Sequence, residues 1–152
     1  MTSEINHTET APAKRAALRK PSTATPFHID FDWWKQNERD WQIFLRSLLC
    51  AEHQEALVHL SDGQLVDRVD ATTAEVHQVD GIQDALMSHC ARQPEFVTQR
   101  TALVEAVFRV FLVNGNQPLS ANDLALRLNK PANTILSTLA GPRIYKGLRP
   151  VP

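Results

Sequence analysis

The sequence is poor in cysteine and has no long apolar segment. It contains two cysteines among 152 residues, which excludes a small secreted scaffold held together by several disulfides. No apolar run approaches the ~20 residues that a membrane-spanning helix needs, and the N-terminus lacks the apolar core of a secretory signal. We therefore expect a cytoplasmic protein that does not bind a membrane.

The motifs of common enzyme active sites are also absent. The sequence has no phosphate-binding glycine loop, no Gly-x-Ser-x-Gly nucleophile elbow and no His-Glu-x-x-His helix. Cys50 or Cys90 beside a histidine would make a nucleophile pair, but the spacing does not favour this over simple packing. We therefore predict that the protein is not an enzyme.

Charge is distributed unevenly along a chain whose net charge is only −1. Residues 28–96 contain 13 acidic and 5 basic side chains, whereas residues 117–152 contain one acidic and 5 basic side chains. This asymmetry predicts two modules with different partners, although the solvated faces of a single domain would produce the same pattern. We place an acidic module at residues 27–96 and a second domain at residues 97–152.

Residues 1–26 are rich in threonine, alanine and proline and contain few large apolar side chains. Such a segment does not bury enough surface to offset its ordering entropy, so we predict a disordered tail. Its one feature is a basic cluster, which serves either to solubilise the chain or as an arm that touches nucleic acid. The members of this cluster are Lys14, Arg15, Arg19 and Lys20.

The acidic module has the pattern of a helix, a hairpin and a second helix. Tryptophans and leucines recur at helical spacing over residues 33–49, which predicts one amphipathic helix. Alternating apolar and polar residues predict strands at 65–69 and 75–79, and this short hairpin needs a helix packed on its apolar face. Asp80 can cap the next helix, which Pro94 ends. The fold class is therefore mainly α, with an α+β arrangement.

The strongest pattern in the chain is a helix-turn-helix after a helix at residues 101–113. Ser120 followed by Asp123 three residues later is a capping box that starts a helix. Asn129 suits the left-handed backbone of a tight corner, and Pro131 suits the first turn of the next helix. The apolar residues of both helices fall on one face of each.

This segment resembles the winged helix-turn-helix superfamily. The resemblance rests on the helix at 101–113, Pro118-Leu119-Ser120, Leu124-Ala125-x-x-Leu128-Asn129 and Ile135-Leu136-x-x-Leu139. It implies that the second helix enters the DNA major groove and that a β-hairpin wing follows. Only eleven residues follow Gly141, so we expect a short or absent wing, and the second helix lacks the arginine that most often reads guanine.

The resemblance implies a DNA-binding transcriptional regulator that recognises double-stranded DNA. The acidic module would then form a homodimer or bind a protein partner, since one small helix reads few base pairs. The implied contacts are base edges for Asn133, Thr134 and Ser137, and phosphates for Lys130, Arg143, Lys146 and Arg149. Because winged helices also dock proteins, the alternative is a protein-interaction adaptor without a DNA role.

Two groups of cysteine and histidine suggest a structural zinc site. Cys50-Ala51-Glu52-His53 has the spacing of a zinc-binding pair, and His89-Cys90 lies at the predicted end of another helix. The opposing interpretation is that both cysteines pack as small apolar groups. Adjacent residues on a helix also diverge, which favours Cys50, His53 and Cys90 over His89 as ligands. Spare candidates are His59 and His77.

Overall fold

The computed structural model describes residues 20–152, so most of the predicted tail, including Lys14, Arg15 and Arg19, lies outside the described residues. The described part contains seven α-helices, a 3-10 helix and two small antiparallel sheets. This mixture confirms the α+β class. No helix in residues 20–152 combines the length and apolarity needed to cross a membrane.

The N-terminal region begins with strand β1 (Phe27–Ile29), which is followed by three short helices. These helices are α1 (Phe31–Asn37), α2 (Trp41–Ser47) and α3 (Ala51–Ala56). The expectation of one helix over residues 33–49 is therefore wrong. Helix α1 ends because Glu38 adopts an extended backbone, with φ −129° and ψ 121°.

The break between α1 and α2 allows the aromatic side chains to converge on Trp34. In a continuous helix, Trp34 and Trp41 would be separated by about 10 Å along the axis, whereas their rings pack edge-on at 5.7 Å. The rings of Phe44 and Phe108 also pack edge-on against Trp34, at 5.9 and 5.5 Å. The Trp34 Nε1–H donates a hydrogen bond to Glu38 Oε2 at 2.9 Å, so the residue that ends α1 also satisfies the indole.

The predicted hairpin is present as β2 (Leu65–Val69) and β3 (Val76–Asp80), with Asp67 opposite Gln78. The expected helix covers only its base, where Gly81 approaches Val66. Apolar side chains stay more than half exposed at both ends of the hairpin: Leu65 at its base, at 55%, and Val69 and Val76 beside the turn, at 61% and 60%.

Helix α4 (Gly81–Ser88) follows β3 directly. As predicted, Asp80 caps it, because the carboxylate accepts a hydrogen bond from Gln83 N at 2.9 Å. A 3-10 helix (Cys90–Arg92) comes next. The long helix α5 (Leu103–Val113) then runs through the core.

The two helices predicted for the helix-turn-helix are present as α6 (Ala121–Leu128) and α7 (Ala132–Leu139). Both hydrogen bonds of the predicted capping box are present: Asp123 N donates to Ser120 Oγ at 3.2 Å, and Ser120 N donates to Asp123 Oδ2 at 2.9 Å. Asn129 has the left-handed backbone predicted for the corner, with φ 53° and ψ 49°.

Strand β1 lies between two segments of the C-terminal region. It pairs antiparallel with β4 (Leu148–Pro150). On its other side, Phe27 and Leu119 exchange two backbone hydrogen bonds of 2.9 and 3.1 Å. After α7, the chain therefore reaches β4 through a turn at Lys146-Gly147, and β4 pairs with an N-terminal strand rather than with a second strand of a wing. One hydrophobic core spans both sides of the residue 96–97 boundary.

Candidate metal centre and helix-turn-helix surface

Cys50 and His53 are positioned by the start of α3. Cys50 occupies the N-cap position with an extended backbone, φ −66° and ψ 162°. His53 lies in the first turn, so the Cys-x-x-His spacing brings both side chains to the same end of the helix. The Cys50 Sγ and His53 Nδ1 atoms are 3.3 Å apart.

His89 and Cys90 are positioned by the junction between α4 and the 3-10 helix. His89 has φ −128° and ψ −62°, which interrupts the helical path. The divergence expected for neighbours on a regular helix therefore does not apply, and both side chains reach Cys50. The His89 Nδ1 atom lies 3.6 Å from Cys50 Sγ, and the Cys90 Sγ atom lies 3.4 Å from it.

The four ligand atoms have the spacing of a compact four-ligand site. All four lie within 4.8 Å of one another. Zinc bound tetrahedrally, with Zn–S near ~2.3 Å and Zn–N near ~2.0 Å, requires S···N separations of about 3.5 Å and an S···S separation of about 3.8 Å. The three separations from Cys50 agree with these values to within about 0.4 Å. The cluster can therefore hold a metal ion, and its composition is compatible with zinc.

Burial makes the cluster unfavourable for uncompensated negative charge. Cys90 is only 1% exposed, and this burial raises the pKa of its thiol to about 11. In the absence of a cation the thiol therefore holds its proton at neutral pH. A divalent metal would stabilise the thiolate and displace this proton.

Glu52 was not among the candidates from the sequence, although it lies inside the Cys-x-x-His segment. Its Oε2 atom is 3.9 Å from His89 Nε2, the ring nitrogen that faces away from Cys50. This separation is longer than a hydrogen bond, so Glu52 would need a small approach to become the carboxylate partner that metal-binding histidines commonly have on their second nitrogen. The spare candidates His59 and His77 are exposed and lie outside the cluster.

The candidate DNA-contacting residues divide into two groups. Asn133, Thr134 and Ser137 are exposed on α7, and Lys130 and Arg143 are exposed on either side of it. Neither Lys130 nor Arg143 forms an ion pair with another residue in the range 20–152.

Lys146 and Arg149 instead contact the N-terminal region. The Lys146 Nζ atom lies 3.5 Å from Glu38 Oε2 and 4.8 Å from the centroid of the Phe44 ring. Arg149 forms an ion pair with Asp30 at 3.0 Å and lies over the Trp33 ring. The charges of both residues are therefore largely neutralised within the fold.

Comparison of the chain with protein-family models, curated proteins and solved structures found no match.

Proposed function

We propose that Cys50, His53, His89 and Cys90 bind one zinc ion with a structural role. The observation that carries this proposal is that the other three ligand atoms lie 3.3, 3.6 and 3.4 Å from Cys50 Sγ, close to the separations in a tetrahedral zinc site. Two sulfur and two nitrogen ligands match the commonest zinc sites. Because the protein supplies all four ligands, no position is left for a substrate, and the site suits stabilisation rather than catalysis.

Zinc would anchor α3 to the rest of the fold. None of the residues of α3 is fully buried, so packing alone holds this helix weakly. The 3-10 helix on the other side of the cluster is well anchored, since Cys90 and Ala91 are buried in the core. A metal shared by Cys50 and Cys90 would therefore tie a loosely packed helix to a firmly packed one, with the exposed hairpin between them in sequence.

The metal content of the purified chain tests this proposal. We expect about one zinc ion per chain, and cobalt substitution should produce the strong visible absorption of a tetrahedral cobalt–thiolate centre. The variants Cys50→Ser and His53→Ala should lose the metal, whereas the matched control His59→Ala should keep it. A wild-type chain that stays metal-free after refolding in zinc, and that gives no such cobalt spectrum, would contradict the proposal.

We further propose that the helix-turn-helix binds double-stranded DNA as part of a transcriptional regulator. The supporting observation is the exposed face of α7, which presents Asn133, Thr134 and Ser137 and no acidic side chain. Lys130 and Arg143 flank this face without internal partners among the described residues, and can contact phosphates. Regulation by a dimer would let two such helices read two half-sites.

Binding to a random-sequence duplex at two salt concentrations tests the DNA proposal. The double variant Lys130→Ala/Arg143→Ala should weaken binding and reduce the slope of log affinity against log salt by about two, one for each phosphate contact. The matched control Lys146→Ala/Arg149→Ala removes the same charge from residues that are paired internally, and should change the slope much less. Circular dichroism verifies that both variants fold.

Two outcomes of this measurement favour the alternative function. Absence of binding at low salt, or binding that does not depend on salt, would contradict a DNA role. The protein-interaction adaptor would then be the better proposal, because an apolar docking surface responds weakly to salt. A pull-down with the α7 face altered by Asn133→Ala/Ser137→Ala would then test that face for a protein partner.

A further inference from the structure

We propose that the metal centre is also a peroxide-sensitive site, at which Cys50 and Cys90 are oxidised to a disulfide and the zinc is released. This inference rests on the proposed zinc site and adds a chemical regulation to it. The oxidant is hydrogen peroxide. The product is a chain in which a covalent bond replaces the metal as the link between α3 and the 3-10 helix.

The two sulfur atoms are already close enough for this reaction. They are 3.4 Å apart, which is shorter than the ~3.8 Å expected between two thiolates on one zinc ion. A disulfide bond is about 2.04 Å long, so the sulfur atoms need to approach by about 1.4 Å. Cys50 is the N-cap of α3, a helix with no fully buried residue, so this side of the cluster can make the approach.

A cavity lined by both cysteines gives a small oxidant access to the cluster. Its volume is about 270 Å³, and Cys50, Cys90, Phe96 and Arg109 are among the residues that line it. This is ample for a molecule slightly larger than water. Arg109 is held at the wall of this cavity by a hydrogen bond of 2.8 Å to the Phe96 carbonyl.

Exposure decides which sulfur reacts first. Cys50 is half-buried and Cys90 is buried, so the Cys50 thiolate attacks the peroxide. The O–O bond breaks, one oxygen leaves as water after taking a proton, and Cys50 becomes a sulfenic acid. The Cys90 sulfur then attacks the Cys50 sulfur and expels the second oxygen, which also leaves as water after protonation. The two thiolates lose two electrons in total, and the peroxide gains them.

Loss of both thiolates removes the metal. Only His53 and His89 remain as ligands, whereas a structural zinc ion requires four. One zinc ion is therefore released for each disulfide formed. A thiol reductant together with zinc restores the original centre, because a disulfide is reversible and higher oxidation states of cysteine are not.

The test uses the full chain purified under reducing, oxygen-free conditions. Its zinc content is measured first, and this step alone tests the proposed zinc site. Hydrogen peroxide is then titrated in the presence of a chromogenic zinc chelator, and peptide mapping by mass spectrometry follows the Cys50–Cys90 linkage in the same samples. We expect release of zinc in step with the linkage, and recovery after reductant and zinc are added. His77→Ala is the matched control and should behave as wild type.

The outcomes separate the two proposals. A chain without zinc overturns both. A chain that retains its zinc at a peroxide concentration that oxidises an equal amount of free glutathione overturns only the redox proposal. Zinc release accompanied by sulfenic or sulfinic acid on unlinked cysteines also overturns it, because the paired geometry would then play no part. The test needs no cysteine variant, because peptide mapping follows the linkage in the wild-type chain itself.

Discussion

The turn before β4 offers a sharp test of how the C-terminus is attached to the N-terminal helices. Lys146 and Gly147 both have positive φ, at 47° and 79°, and Leu148 N donates to the Tyr145 carbonyl at 2.9 Å. Two consecutive residues with positive φ are the signature of a type I′ turn. The Gly147 carbonyl accepts a hydrogen bond from Asp30 N, at the start of α1, at 2.8 Å.

A methyl group at Gly147 would collide with atoms that have little freedom to move. The added Cβ would lie 2.8 Å from the Asp30 carbonyl oxygen and 3.0 Å from Trp34 Cβ. That carbonyl accepts the first hydrogen bond of α1, from Trp34 N at 3.0 Å. We expect Gly147→Ala to cost about 1 kcal/mol for the left-handed backbone and about 2 kcal/mol for overpacking.

Gly115→Ala is the matched control for this prediction. Gly115 also has a positive φ, 68°, but no atom lies within 4 Å of its added Cβ. It should therefore show only the backbone cost of about 1 kcal/mol. Urea denaturation in saturating zinc should give equal m-values for the two variants and free energies of unfolding that differ by the remaining ~2 kcal/mol. In thermal denaturation the same difference corresponds to roughly 4–8 °C in Tm. Equal losses of stability in the two variants would refute the close approach of this turn to α1.

Three further predictions follow from single side chains. Burial, followed by the charge of Glu105, raises the pKa of Tyr145. Because the fold favours the neutral phenol, its stabilising contribution holds below the ordinary pKa of ~10 and is lost as pH rises through the raised value. Since Tyr145 is the only tyrosine, the phenolate absorbance should appear at higher pH in the folded chain than in the chain unfolded in urea. Identical titration curves for the two states would disprove this. Glu52→Gln should weaken zinc binding by about tenfold in a competition with a chelator, through the lost support of His89; unchanged affinity would exclude that support. Ser120→Ala should lower the free energy of unfolding by about 1 kcal/mol in urea denaturation, because it removes half of the capping box, and a neutral substitution would contradict that role.

The features that the sequence predicted well are those encoded over a few neighbouring residues. The Ser120–Asp123 capping box and the left-handed Asn129 depend on local chemistry, so their geometry follows from residue type and spacing. The break after α1 was missed because residues 33–49 keep a helical spacing of apolar side chains. That spacing does not show that Trp34, Trp41 and Phe108 pack better when the helix is interrupted.

For the candidate metal centre, the identity of the ligands was predictable from the sequence, but the backbone that brings them together was not. Its four members were predicted from spacing and residue type, and the structure brings them together. Their convergence depends on the irregular backbone of His89, which no residue type in this segment signals. The position of β1 between Leu119 and β4 was equally inaccessible, because a strand of three residues is too short to show a reliable alternation.

Ion pairs within the fold reduce the number of basic side chains that remain free to contact DNA. Some of the opposite charges of the acidic and basic regions pair with each other: Lys146 pairs with Glu38, and Arg149 pairs with Asp30. The basic C-terminus therefore has fewer free charges than its composition indicates. A footprint reduced to Lys130, Arg143 and few others can displace only a few counterions, so a monomer should show a shallow salt dependence and weak affinity. Strong binding would then require two copies, which makes dimerisation a condition of the DNA proposal rather than an accessory to it.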